Sequence, residues 1–140
     1  SVYVFSSKTD YTVNSAVTVL NEMPATVTAS AGSYFNYPVS VTNNANRKHN
    51  YSMSYWLNST SINLTSGDAK LRILDSNNVT VLSESSTVVS NAIATSVENL
   101  GFNGNENKTL HLSVEFHPGA TTGLYNLNYQ VRPGVHSFRS

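Results

Sequence analysis

The chain has 140 residues, no cysteine, eight basic and eight acidic side chains, and a charged fraction of only 11%. At this length a single domain can bury one core without staples, and the missing thiols exclude disulfides and thiolate metal sites. With no net charge, no basic cluster beyond Arg47-Lys48 and no apolar run of the roughly 18 residues a membrane span needs, nothing steers nucleic acid or an acidic membrane toward the chain, and no membrane span is expected.

The first segment, Ser1-Val2-Tyr3-Val4-Phe5-Ser6, is short, apolar, β-branched and aromatic. A strand of this kind must find a sheet edge or aggregate. Two readings follow: it is the first strand of its own sandwich, or it is donated to the next subunit, with either Val2 and Val4 or Tyr3 and Phe5 in the neighbour's groove. A charge here, as in Val4→Asp, is expected to stop polymerisation while leaving the monomer folded. A polar stretch follows, Ser7-Lys8-Thr9-Asp10, and then Val17-Thr18-Val19-Leu20. The expected organisation is residues 1–11 as N-terminal strand and linker, and 12–140 as a single β-sandwich domain. The lack of a methionine before Ser1 is read as a cleaved leader or a trimmed chain.

From there the period is two. Phe35, Tyr37, Val39 and Val41 share one face; Pro38 in their midst lacks a ladder donor and marks an edge or a bulge. Asn43-Asn44-Ala45-Asn46 is a turn, and Tyr51, Met53, Tyr55 and Leu57 form the next stripe. Ala69, Leu71 and Ile73 alternate with Lys70, Arg72 and Leu74, and Asp75-Ser76-Asn77-Asn78 predicts a tight hairpin to Val79–Leu82. Residues Thr87–Leu100 lack clear alternation, which suits either a loop with a short strand or a helical turn. Gly101–Asn105 and His117-Pro118-Gly119 read as loops. Leu110, Leu112, Val114 and Phe116, then Tyr125, Leu127, Tyr129 and Val131, complete the pattern, and Gly123-Leu124-Tyr125 has the form of a tyrosine corner. Seven or more short strands with turns between them predict an all-β, immunoglobulin-like or jelly-roll sandwich.

Catalytic chemistry finds little support. His49, His111, His117 and His136 have no zinc-type spacing. No calcium loop, nucleophile elbow or phosphate loop occurs among the motifs. The expectation is therefore no catalytic residue, no metal, no cofactor and no enzyme. Five N-x-S/T sequons, at Asn50, Asn58, Asn63, Asn78 and Asn107, are possible N-glycosylation sites, and four lie at predicted loops or strand ends. Trp56 and Tyr34 fall on polar strand faces, where an aromatic ring can stack on a sugar or meet a partner unless a loop covers it.

The order of features carries a resemblance: the N-terminal strand, Phe35-x-Tyr37-x-Val39-x-Val41-Thr42-Asn43, Tyr51-x-Met53-x-Tyr55, Leu71-Arg72-Ile73-Leu74-Asp75-Ser76-Asn77, Asn107–Val114 and Gly123-x-Tyr125-x-Leu127. Over residues 25–132 this resembles the TasA/camelysin-like secreted fibre proteins, especially archaeal extracellular filament subunits of bundling pili and threads. The resemblance implies a secreted, cell-surface, pilus or biofilm-matrix subunit. It further implies head-to-tail donor-strand complementation, with Val2, Tyr3, Val4 and Phe5 as donor strand and identical subunits as partners in a homopolymer. The protease activity described for camelysin has no motif here to carry it. The alternative function is a monomeric cell-surface adhesin or carbohydrate-binding sandwich using Trp56 or the loops.

Overall fold

A computed structural model of the chain describes the backbone of residues 2–11 and the whole of residues 17–30 and 32–133. Over these residues the protein is all β: β1 (Val2–Tyr11), β2 (Val17–Asn21), β3 (Thr26–Ser30), β4 (Tyr34–Asn43), β5 (His49–Asn58), β6 (Ala69–Leu74), β7 (Val81–Ser85), β8 (Val88–Val89), β9 (Ala92–Phe102), β10 (Asn107–Phe116) and β11 (Leu124–Pro133). One sheet has the order β3-β1-β11-β5-β9-β8 and the other β2-β4-β10-β6-β7. Pairings are antiparallel except β1 with β11, which is parallel.

The sandwich follows from the alternation. Tyr51, Met53, Tyr55 and Leu57 on β5 and Tyr125, Leu127, Tyr129 and Val131 on β11 are buried, facing Val39 and Val41, Leu71 and Ile73, and Leu110, Leu112, Val114 and Phe116 of the other sheet. Burial of each such side chain is worth about 1.5–3 kcal/mol. A direct tie joins the layers: the Tyr55 hydroxyl donates to the Ser113 carbonyl at 3.1 Å.

The β6–β7 hairpin forms as its turn residues require. Asp75 N–H donates to Thr80 O, Asn78 N–H donates to Asp75 O, and Asn78 takes φ +58°, a conformation asparagine tolerates. Pro38 lies one position beyond the stretch of β4 that β2 covers, where Asn21 pairs Val39. The strand is thus locally an edge at the residue with no donor, as expected. Gly101 and Phe102 extend β9 and pair Asn50 and His49, so the loop begins later than the glycine suggests.

The stretch Thr87–Leu100, which lacks alternation, is mostly strand. Ile93 and Thr95 are buried and Val97 half-buried, but Asn99 sits at φ +54° and the register with β5 shifts between Tyr51 and Met53. Two residues, Glu98 and Asn99, therefore oppose Ser52, whose Oγ accepts the Asn99 N–H at 3.0 Å. This bulge resets the phase, so that Phe102 again reaches the core.

Candidate functional site

The N-terminal strand occupies an inner position. Val4–Tyr11 pair Leu124–Val131 of β11 over eight positions, and Val2–Ser6 pair Ser30–Thr26 of β3 over five. β1 is the neighbour through which β3 joins the sheet. Within this chain, β1 fills the gap between β3 and β11.

That gap is rigidly framed. On β11 the alternate residues Tyr125, Leu127, Tyr129 and Val131 are all but inaccessible, and on β3 Ala29 is buried and Val27 half-buried. The Tyr125 ring packs edge-on against Phe116, centroids 5.2 Å apart, and its hydroxyl donates to the carbonyl of Thr121, four residues earlier. This is the expected tyrosine corner. The entry to β11 is clamped further: Ser59 Oγ donates to Leu124 O at 2.7 Å, and a Cβ on Gly123 would stand 2.7 Å from Ile62 Cγ2.

Register distinguishes the residues of β1. Tyr3 is opposite Ala29, Phe5 is opposite Val27 and beside Tyr125, Ser7 is beside Leu127, Thr9 beside Tyr129 and Tyr11 beside Val131. These are the core-facing positions of the flanking strands. Val2 and Val4 are opposite Ser30 and Thr28, and Val4 is beside Leu124; Ser30, Thr28 and Leu124 are exposed.

The remaining sequence-nominated residues are scattered. Asn50 and Asn58 are half-buried on β5, Asn63 is exposed before β6, Asn78 is exposed at the hairpin tip, and Asn107 is exposed at the start of β10. The Asn107 amide donates to Ser40 Oγ and Thr42 Oγ1 at 2.6 and 2.8 Å, and Asn78 Oδ1 accepts from Asn36 Nδ2 at 2.9 Å. Tyr34 is exposed, its hydroxyl accepting from Asn36 Nδ2 at 3.1 Å, whereas Trp56 is half-buried. His49, His111 and His117 lie on different elements or ends, and His136 falls outside the described residues. Among the described residues no three His, Asp or Glu side chains converge as a metal site would require, and no helix is long and apolar enough to cross a membrane.

Two asparagines that bridge loops, one buried and one half-buried, are not evident from the sequence. Asn43 is fully inaccessible; its Nδ2 donates to Arg47 O and Asn103 O at 2.9 and 3.0 Å, and its Oδ1 accepts from Ala45 N–H. Asn91, at φ +55°, accepts from Leu64 N–H and donates to Ser59 O and Ile62 O. Each satisfies backbone groups of loops far apart in the chain.

No protein-family model matches the chain, and no curated protein matches it. Among solved structures it is similar to AvmM, which catalyses macrocyclization in alchivemycin A biosynthesis, with 12% identity over 91% of this chain and 93% of that chain and a TM-score of 0.48. It is also similar to a family 123 glycoside hydrolase from Clostridium perfringens, with 9% identity, 96% of this chain covered and a TM-score of 0.45. The match takes in only 24% of that hydrolase chain. Likeness this distant says nothing of function.

Proposed function

We propose that the protein is a structural subunit of an extracellular filament, polymerising head-to-tail by exchange of β1 between copies. The observation that carries this reading is the inner position of the first strand, between β3 and β11. Lifting β1 out would leave β11 with an unpaired inner edge, separate β3 from the sheet and uncover the core beneath. Such a gap must be filled. The covalent structure does not dictate whose β1 fills it, because every identical chain carries the same strand.

Residues 12–16 connect β1 to β2, which lies in the opposite sheet. From Tyr11 to Val17 the chain reaches about 20 Å at most, so a copy donating β1 must sit directly against the acceptor. A link this short also gives the chain's own strand an effective concentration of order millimolar. The isolated chain therefore closes on itself, and exchange is favoured by unfolding and refolding at high protein concentration. The resemblance to TasA/camelysin-like fibre proteins, the low charge and the Thr- and Asn-rich strands support the same reading.

The test is negative-stain electron microscopy of the chain refolded at high concentration, with and without residues 1–11. Filaments that require residues 1–11 are expected, and a peptide of residues 1–11 added in excess should cap them. Discrete particles of one size from both samples would sink the proposal. Register revises the expectation for Val4→Asp: Val4 stands opposite exposed positions, so that variant is expected to retain filaments, whereas Phe5→Asp puts a charge opposite core-facing positions and is expected to abolish them.

A further inference from the structure

The outer face of the six-stranded sheet carries a second feature, independent of β1 exchange. Trp56, the single tryptophan, lies on β5 between the fully buried Tyr55 and Leu57 and so projects from the opposite face. Asn128 on β11 and Ala94 on β9 flank it in register. Ala94 is exposed and offers only a methyl, so no bulky side chain stands in register on that flank.

Asn128 is 5% exposed, and its Nδ2 is shared among Asn58 Oδ1 and Asn126 O at 3.2 Å and Trp56 O at 3.5 Å. These contacts fix the amide plane, and its Oδ1 has no partner among the described residues. Because Asn58 Oδ1 is the acceptor in that contact, Asn58 Nδ2 is a donor with no partner among them. An aromatic ring is thus accompanied by one fixed acceptor and one fixed donor. Around them stand the neutral Ser54, Ser96 and Gln130; β1 brings one lysine and one aspartate, Lys8 and Asp10, into register with Asn128 and Gln130, and Arg132 pairs with Glu98 at 3.0 Å, so the face carries no net charge.

From this arrangement we infer that the face around Trp56 binds a neutral saccharide chain. A pyranose has an apolar C–H face to lay on an indole ring and neighbouring hydroxyls that both donate and accept, which Asn128 Oδ1 and Asn58 Nδ2 complement. A protein partner would need a contiguous apolar patch, whereas the other large apolar residues exposed on the described part of this face, Leu124 on β11 and Val89 on β8, stand out of register with Trp56, whose cross-strand neighbours are Asn128 and Ala94. A nucleic acid would need a row of cations, which the described face lacks.

The single tryptophan makes its emission a direct reporter. The folded chain is titrated with soluble neutral polysaccharides (a β-glucan, a xylan, a mannan and a galactan) and with anionic alginate, and run in native gels containing each. Saturable change in Trp56 emission and retardation by at least one neutral polysaccharide are expected. Trp56→Ala and Asn58→Ala should each weaken retardation, the former by about tenfold, with the far-ultraviolet spectrum unchanged. If Trp56→Ala does not fold, Trp56→Phe and Asn58→Ala decide. No response to any neutral polysaccharide, a response to alginate alone, or retardation untouched by these variants would overturn the inference. Trp56→Ala is expected to polymerise as the parent does, so failure here and failure of β1 exchange are separately visible.

Discussion

Tyr125 combines two functions that are separable by one atom. Its ring is fully buried against Phe116, while its hydroxyl reaches the Thr121 carbonyl and holds the turn that feeds β11 into the sheet. Tyr125→Phe keeps the ring and removes the bond, and is expected to cost about 1–2 kcal/mol in chemical denaturation. An unchanged midpoint would mean that the clamp from Ser59 and Ile62 positions β11 alone. This corner was legible in the sequence because all of its parts lie within five residues. Asn43 and Asn91 were not. Each looks like an ordinary turn asparagine, and its hydrogen bonds form only when loops distant in sequence meet around it. Trp56 was legible as outward-facing from alternation alone, but its fixed amide neighbours come from β11 and from the register between strands, which alternation does not encode.

Among the elements, the link between the β4–β5 and β9–β10 loops is made as much by absence of a side chain as by bonds. A Cβ on Gly104 would lie 2.6 Å from the Asn46 carbonyl carbon and 2.8 Å from Arg47 N, so the two backbones touch. Asn105 N–H donates to Ala45 O at 2.8 Å across the same contact, and Asn43 closes it from beneath. Backbone cannot yield as a flexible side chain does, so Gly104→Ala is expected to lower Tm by about 5 °C in a calorimetric scan, with Gly101→Ala, whose Cβ meets only Asn50 Oδ1 at 3.6 Å, as the mild control. Strand identity was readable wherever the period stayed at two, as in β4, β5, β6, β10 and β11. It failed in β9 because a bulge at Asn99 reverses the phase and a threonine, Thr95, takes a core position. The apolar N-terminal strand was also readable as a strand, but not its place beside β11, since parallel pairing of first and last strands leaves no local signature.

The whole molecule has few charges, and its response to pH follows from where the titrating groups sit. Glu98 is held below the usual glutamate range, chiefly by a hydrogen bond from Ser96 and also by Arg132, and Glu106 by the Asn103 backbone N–H. What these carboxylates contribute is present above the ordinary glutamate pKa and fades as pH falls through their lowered values. Burial raises the phenols of Tyr37, Tyr51 and, most strongly, Tyr55. A raised phenol stabilises the fold below the unfolded-state pKa of about 10, and that contribution is lost as pH rises beyond it. Melting curves are therefore expected to be level from about pH 6 to 9 and to fall above about 10, less steeply in Tyr55→Phe; an equal slope in that variant would place the alkaline loss elsewhere. The parallel placement of β1 has a mechanical consequence. In a chain of copies that exchange β1, tension along the fibre would pull that strand along its own length. The ladders to β11 and β3 would then be loaded in shear, all bonds sharing the force, rather than peeled one at a time. A ladder strained this way ruptures at much higher force than one unzipped from an end, so the strength of such a fibre would lie in the direction of the strand and not in the size of the contact.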